Sequence, residues 1–148
     1  MHTLALAMLL SGMTILSDMP SHAVGQWVVG PAYDLGQPIG LDAAQESKIV
    51  NSRIAIAKRS IDVCGKTLPV KSLKVMDLSQ AEFLAKYNFP ATRVGLRGSP
   101  VFELTINEGE STGACGDFED PATHLLISGY TVVMETGNGF FPLVKQGK

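Results

Sequence analysis

Apolar and polar residues alternate with a period of two along most of the chain after residue 24. The clearest case is the segment 101–107, in which Phe102, Leu104 and Ile106 alternate with the other side chains. This pattern is typical of a strand with one buried face. Similar runs occupy residues 25–29, 53–63, 73–78, 112–115, 125–127, 131–135 and 140–144. The chain therefore predicts seven or eight short strands.

Two segments break this alternation and carry the signals of helix starts. Asp42 with Gln45, and Ser79 with Glu82, have the spacing of a capping box, in which the two side chains bond each other's backbone amides. We expect a helix of about two turns after Asp42. A second, amphipathic helix is expected after Ser79, and it should end before Pro90.

Short turns between the strands favour antiparallel pairing. Gly137-Asn138-Gly139 supplies residues that tolerate positive φ in a tight hairpin. Pro142 lacks a backbone donor and predicts an edge position for the last strand. The predicted fold is therefore mainly β, a small antiparallel β-barrel or sandwich with two short helices. A β-domain with helices on one side is the alternative.

The first 23 residues have the layout of a secretory signal peptide. Residues 4–10 are all apolar, no charged side chain occurs before Asp18, and small residues precede a cleavage site after Ala23. The apolar stretch is shorter than the ~20 residues of a membrane span. We expect residues 1–23 to be removed and residues 24–148 to form one β-rich domain. That domain should be periplasmic or secreted, without a membrane span.

Cys64 and Cys115 are the two cysteines of the chain. A lone pair in an oxidising compartment predicts a disulfide. A redox-active pair is the alternative, but catalytic dithiols usually have the closer Cys-x-x-Cys spacing. We therefore predict a structural disulfide.

Charge is distributed unevenly along the sequence. Residues 48–97 contain ten Lys and Arg against three Asp and Glu, whereas residues 98–144 contain seven acids and no Lys or Arg. Such polarity is expected to steer a charged partner if the two halves form separate faces. The alternative is that the halves interleave in one sheet and neutralise each other across strands.

Signals for chemistry are sparse. His124 is the only histidine outside the predicted signal peptide, and a zinc site built from histidines needs at least two. Glu103 and Glu135 lie on predicted strands, so a carboxylate-based hydrolase is a weaker alternative. Gly65-Lys66-Thr67 lacks the upstream glycine of a phosphate-binding loop. We expect no metal and no cofactor. A nucleic-acid partner is not expected either, because the chain is exported and nearly neutral.

Two resemblances follow from short motifs. Gly25-Gln26-Trp27 resembles the Gly-x-Trp start of the lipocalins, which implies a barrel that holds a small apolar ligand. Trp27, Phe102 and Phe141 would then line its interior, although Trp27 also reads as an ordinary core residue. The overall design is similar to that of small exported bacterial lysozyme inhibitors, which are disulfide-tied β-barrels. Ser128-Gly129-Tyr130 resembles a loop motif of theirs.

The function expected from these observations is binding, not catalysis. Export, one disulfide, a β-scaffold and acidic loops favour a cell-envelope binding or inhibitory module that contacts a protein, for example a cationic enzyme. The expected contact residues are acids of the loop after residue 107: Glu108, Glu110, Asp117, Glu119 and Asp120. A carrier of a small apolar ligand is the alternative function.

Overall fold

Ten strands form one antiparallel sheet in the computed structural model, which describes residues 13–147. The strands are β1 (Met13–Ile15), β2 (Gly25–Val29), β3 (Arg53–Ile56), β4 (Ser60–Val63), β5 (Lys66–Pro69), β6 (Leu73–Leu78), β7 (Val101–Ile106), β8 (His124–Ser128), β9 (Thr131–Thr136) and β10 (Gly139–Lys145). Their order in the sheet is β1-β6-β7-β8-β9-β10-β2-β3-β4-β5.

The sheet curls into a half-barrel with a different core on each face. Ile61 of β4 and Leu73 of β6 lie far apart in strand order, yet both belong to one inner core cluster. Along β8, Leu125 and Ile127 join this inner core, whereas Leu126 between them packs on the outer face. The alternation with a period of two therefore places successive side chains of β8 on two apolar faces of the sheet. The predicted fold, mainly β and barrel-like, is confirmed.

Two helices form where the capping boxes predict them, α1 (Ala43–Ile49) and α2 (Gln80–Tyr87). In both boxes the side chains and backbone amides bond reciprocally. Helix α2 ends at Asn88, which adopts a left-handed conformation, and a 3-10 helix, η1 (Ala91–Val94), follows it. Phe83 of α2 and Val94 of η1 are buried on the outer face of the sheet. Helix α2 is thereby fixed across strands β7 to β10.

The predicted disulfide between Cys64 and Cys115 is present. It joins the β4–β5 turn to the long connection between β7 and β8. The expected strand over residues 112–115 is wrong, because this segment is a loop without a neighbouring strand. Its backbone donors at Thr112 and Ala114 bond the carboxylate of Asp120 instead.

Strand β10 lies inside the sheet, between β9 and β2, so the expected edge position is wrong. The hydrogen bonds between β10 and β9 are unaffected, because the backbone nitrogen and carbonyl of Pro142 point away from β9 and toward β2. Its carbonyl accepts from Gly30, which follows the end of β2, and in a strand the nitrogen of a residue points the same way as its oxygen. The nitrogen of Pro142, which carries no hydrogen, therefore faces Gly30, just beyond the end of β2.

Residues 13–23 contact the sheet. Strand β1 pairs with β6, Met19 and Ala23 are buried, and the indole nitrogen of Trp27 donates to the Ala23 carbonyl at 2.9 Å. The remainder of the predicted signal peptide, residues 1–12, lies outside the described residues. Within residues 13–147, none of the helices has the length and apolar character needed to cross a membrane. Cleavage after Ala23 stays a prediction.

Candidate functional site

Three charged side chains from neighbouring strands meet on the outer face of the sheet. Glu103 lies on β7 and His124 on β8, while Glu135 lies on β9. The register pairs Glu103 with Leu126, and Leu126 lies two residues from His124, so both side chains point to the same face. The Nε2 atom of His124 lies 2.7 Å from Oε2 of Glu103, and its Nδ1 atom bonds Oε1 of Glu135. The imidazole thus bridges two carboxylates.

The C-terminal turn of α2 covers this group. Lys86 donates from Nζ to Oε1 of Glu103, and the Tyr87 hydroxyl donates to Oε2 of Glu103 at 2.6 Å. The side chain of Glu103 is only 7% exposed, so these bonds replace the water that its charge would otherwise bind. We call Lys86, Tyr87, Glu103, His124 and Glu135 the charged network.

Hydrogen bonding sets the protonation of the charged network. Burial alone would raise the pKa of Glu103, but the bonds from His124, Lys86 and Tyr87 together outweigh it and lower the pKa to about 2. Burial alone would lower the pKa of His124, but its bonds to Glu103 and Glu135 raise it to about 9. Burial, then the bond to Glu103, raises the pKa of Tyr87. At neutral pH, Glu103 is an anion and His124 a cation that donates from both nitrogens.

Stability should follow these two titrations. The contribution of His124 is complete below its ordinary pKa of 6.5 and is lost as pH rises through about 9. The contribution of Glu103 is complete above 4.5 and is lost as pH falls through about 2. We expect the free energy of unfolding to fall on the order of 3 kcal/mol between about pH 6 and 10 in urea titrations. The variant His124→Gln should lack this fall; an equal fall in the variant would contradict the assignment.

A cleft of about 390 Å³ lies beside the charged network. Its walls are the segment 33–39, the end of α2 with the residues after it, and the β9–β10 hairpin. Lys86, Tyr87 and Glu135 belong both to the charged network and to the cleft wall. The network therefore fixes the positions of side chains that a ligand in this cleft would contact.

Packed aromatic rings support the cleft. The ring of Phe140 meets Phe89 at 5.1 Å and Tyr87 at 5.7 Å, both edge to face. All three side chains line the cleft, and Phe140 is buried beneath it. Such edge-to-face contacts favour one ring arrangement, so the cleft has a preformed apolar floor.

A second cleft, of about 280 Å³, contains three of the expected partner contacts, Glu108, Glu110 and Glu119. Glu108 pairs with Lys74, and Glu110 pairs with Lys71 at 3.3 Å. At these positions the basic and acidic halves of the sequence neutralise each other, as the interleaving alternative expects.

The other expected site residues lie elsewhere. Asp117 is exposed, whereas Asp120 is 4% exposed and holds the loop backbone. Trp27 and Phe141 are buried in the inner core, and Phe102 is 38% exposed. None of the last three lines the cleft beside the charged network or the second cleft.

Sequence reasoning missed Lys86 and Tyr87 as site residues and treated His124 as an isolated residue. Tyr87 belongs to the apolar stripe of α2, which is the usual pattern of core packing. The available signal was a glutamate at the centre of the clearest strand, Glu103, on the face opposite Leu104. Residues 13–147 contain no group of three or more His, Cys, Asp or Glu side chains suited to hold a metal ion.

Comparisons of this chain with known protein families, with curated proteins and with solved structures give no match. The function is therefore inferred from the chemistry of the clefts and of the charged network.

Proposed function

We propose that this protein is an exported binding module that takes a small ligand in the cleft beside the charged network. The observation that carries the proposal is the combination of a packed aromatic floor with polar wall residues held by that network. Small-molecule sites are typically concave, mostly apolar and equipped with a few fixed polar groups. The cleft is concave and its volume lies in the range of such sites, but polar groups make up more of its accessible lining than apolar ones, and the aromatic rings form its floor.

The charged network favours binding over hydrolysis by a carboxylate pair. Such a pair needs open space between the two groups for the sugar and one carboxyl that is protonated near neutral pH. Here the imidazole of His124 occupies the space between Glu103 and Glu135 and bonds both. Glu103, with its pKa lowered to about 2, is not a general acid at neutral pH.

A fragment screen read by amide chemical shifts tests the proposal. With isotope-labelled protein, we expect ligands to shift the amides of Phe89, Asn138 and Gly139, which line the cleft. The variant Gln37→Trp places an indole at the exposed wall and should abolish these shifts. Gln26→Trp, at an exposed position on β2, is the matched control and should leave them unchanged. Shifts confined to other surfaces would contradict the proposal.

A protein partner at the second cleft is the other candidate function. It is favoured by Glu119, an exposed acid in this cleft that forms no ion pair within residues 13–147 and would receive a cationic side chain of the partner, whereas Glu108 and Glu110 already pair with lysines. An oligo-arginine peptide serves as the probe in a binding titration at low salt. Glu119→Gln should weaken binding, whereas Asp117→Asn, another exposed acid outside the cleft, should not. Equal effects of both variants would indicate diffuse attraction and would count against this cleft.

Export is the remaining part of the proposal. The disulfide is compatible with an oxidising compartment, and the apolar N-terminus supplies the targeting signal. N-terminal sequencing of protein recovered outside the cytosol should begin at Val24. A mature product that begins at Met1 would contradict removal of the signal peptide.

A further inference from the structure

Among the described residues that line the cleft, Arg93 is the charged side chain that forms no ion pair. Three charged side chains line the cleft, Lys86, Arg93 and Glu135. The charge of Lys86 is balanced by Glu103 and that of Glu135 by His124, through the bonds of the charged network. The remaining charge is that of Arg93, so the cleft carries a net charge of about +1.

Arg93 is placed to use its charge on a ligand. Its 3-10 helix is anchored by Ala91 and Val94, which are fully buried, while the arginine itself is exposed. One terminal nitrogen donates to the Asp34 carbonyl at 3.3 Å. Within residues 13–147, no carboxylate oxygen lies within 4.0 Å of the guanidinium nitrogens, so Arg93 forms no ion pair there. Several donors of a group that is always protonated therefore remain for a ligand.

We propose that the cleft binds a small organic monocarboxylate that carries an apolar ring. The inference rests on the proposed binding function and specifies the ligand class. A carboxylate matches the planar fork of Arg93 and neutralises its charge. The ring then lies against Phe89 and Phe140, which form the apolar floor. One uncompensated charge favours a monoanion over a dianion, and a cation is repelled.

Three compounds of nearly identical shape distinguish the contribution of the ligand's charge to binding from that of its ring. Benzoate is an anion at neutral pH, benzamide is uncharged and benzamidine is a cation. Titrations of each into isotope-labelled, full-length protein should shift the cleft amides most strongly with benzoate, less with benzamide and least with benzamidine. Arg93→Gln should weaken benzoate about tenfold, as expected for one lost charge-assisted bond, and should leave benzamide unchanged. Arg97→Gln, an exposed arginine outside the cleft, is the matched control.

The outcomes distinguish this inference from the proposed function. Binding of benzamide or benzamidine in the cleft as strong as that of benzoate overturns the ligand class but leaves the cleft as a binding site. Equal weakening of benzoate by Arg93→Gln and Arg97→Gln also overturns it, because the attraction would then be diffuse. If none of the three compounds shifts the cleft amides, both the ligand class and the cleft are contradicted.

Discussion

Replacing Glu103 with glutamine is expected to lower the free energy of unfolding by about 3 kcal/mol or more. The substitution keeps the shape of the side chain but removes the buried charge that bonds Lys86, Tyr87 and His124. His124 then stays protonated beside one carboxylate instead of two, or it loses its proton. Removal of one partner from a buried ion pair costs more than the pair contributes, because the remaining charge is left without compensation.

Urea unfolding at about pH 6 measures this effect, since both titrating groups are fully charged there. Glu108→Gln is the matched control, because Glu108 also bonds a lysine, Lys74, but is 59% exposed. Its removal should change the free energy of unfolding only slightly, because exposed ion pairs contribute little to stability. Equal effects of the two substitutions would mean that the charged network is no more than a surface ion pair.

Removal of the disulfide is expected to have an effect of similar size. The double variant Cys64→Ala with Cys115→Ala should lose about 4 kcal/mol of stability, because the cross-link closes a loop with a sequence separation of 51 residues. Cys115 is also buried in the inner core, where it holds the loop after β7 against the sheet. Both effects act in the same direction.

Chemical reduction gives an independent check on that figure. A thiol reductant should lower the unfolding midpoint of the natural chain to that of the double variant and should not change the variant itself. A double variant as stable as the natural chain would contradict the structural role of the disulfide.

Local sequence signals predicted the elements of this fold well. The capping boxes that start at Asp42 and Ser79, the hairpin at Asn138 and the alternation around Leu104 depend on residues within a few positions of one another. The disulfide followed from there being only one cysteine pair. These features need no knowledge of the tertiary structure, and the structure contains all of them.

Features that depend on long-range pairing were missed. The carboxylate of Asp120 takes the backbone donors of Thr112 and Ala114, and this bonding keeps an apparently strand-like segment in a loop. Strand β5 pairs locally with β4 and was missed for a different reason: its turn uses Cys64 with a positive φ, which is uncommon for that residue type. Pro142 occupies a central strand because it lies opposite Gly30, just beyond the end of β2, and Gly30 is more than a hundred residues earlier in the chain.

The sequence named Glu103 and Glu135 as a possible carboxylate pair, but their bridging by His124 and their cover by helix α2 escaped prediction for the same reason. Glu103, His124 and Glu135 are separated by 21 and 11 positions and meet only through the register of β7, β8 and β9. A polar residue that alternates with apolar ones is normally exposed to solvent. Here helix α2 covers that face, so Glu103 becomes buried and Tyr87 becomes its donor.

The net charge of the cleft depends on His124 being a cation that balances Glu135. Titration of the His124 ring nitrogens by nuclear magnetic resonance in the full chain measures this most directly. We expect a pKa of about 9, with both nitrogens protonated at pH 7. A pKa at or below 6.5, with one nitrogen unprotonated at neutral pH, would contradict the charged network and the ligand class inferred from it.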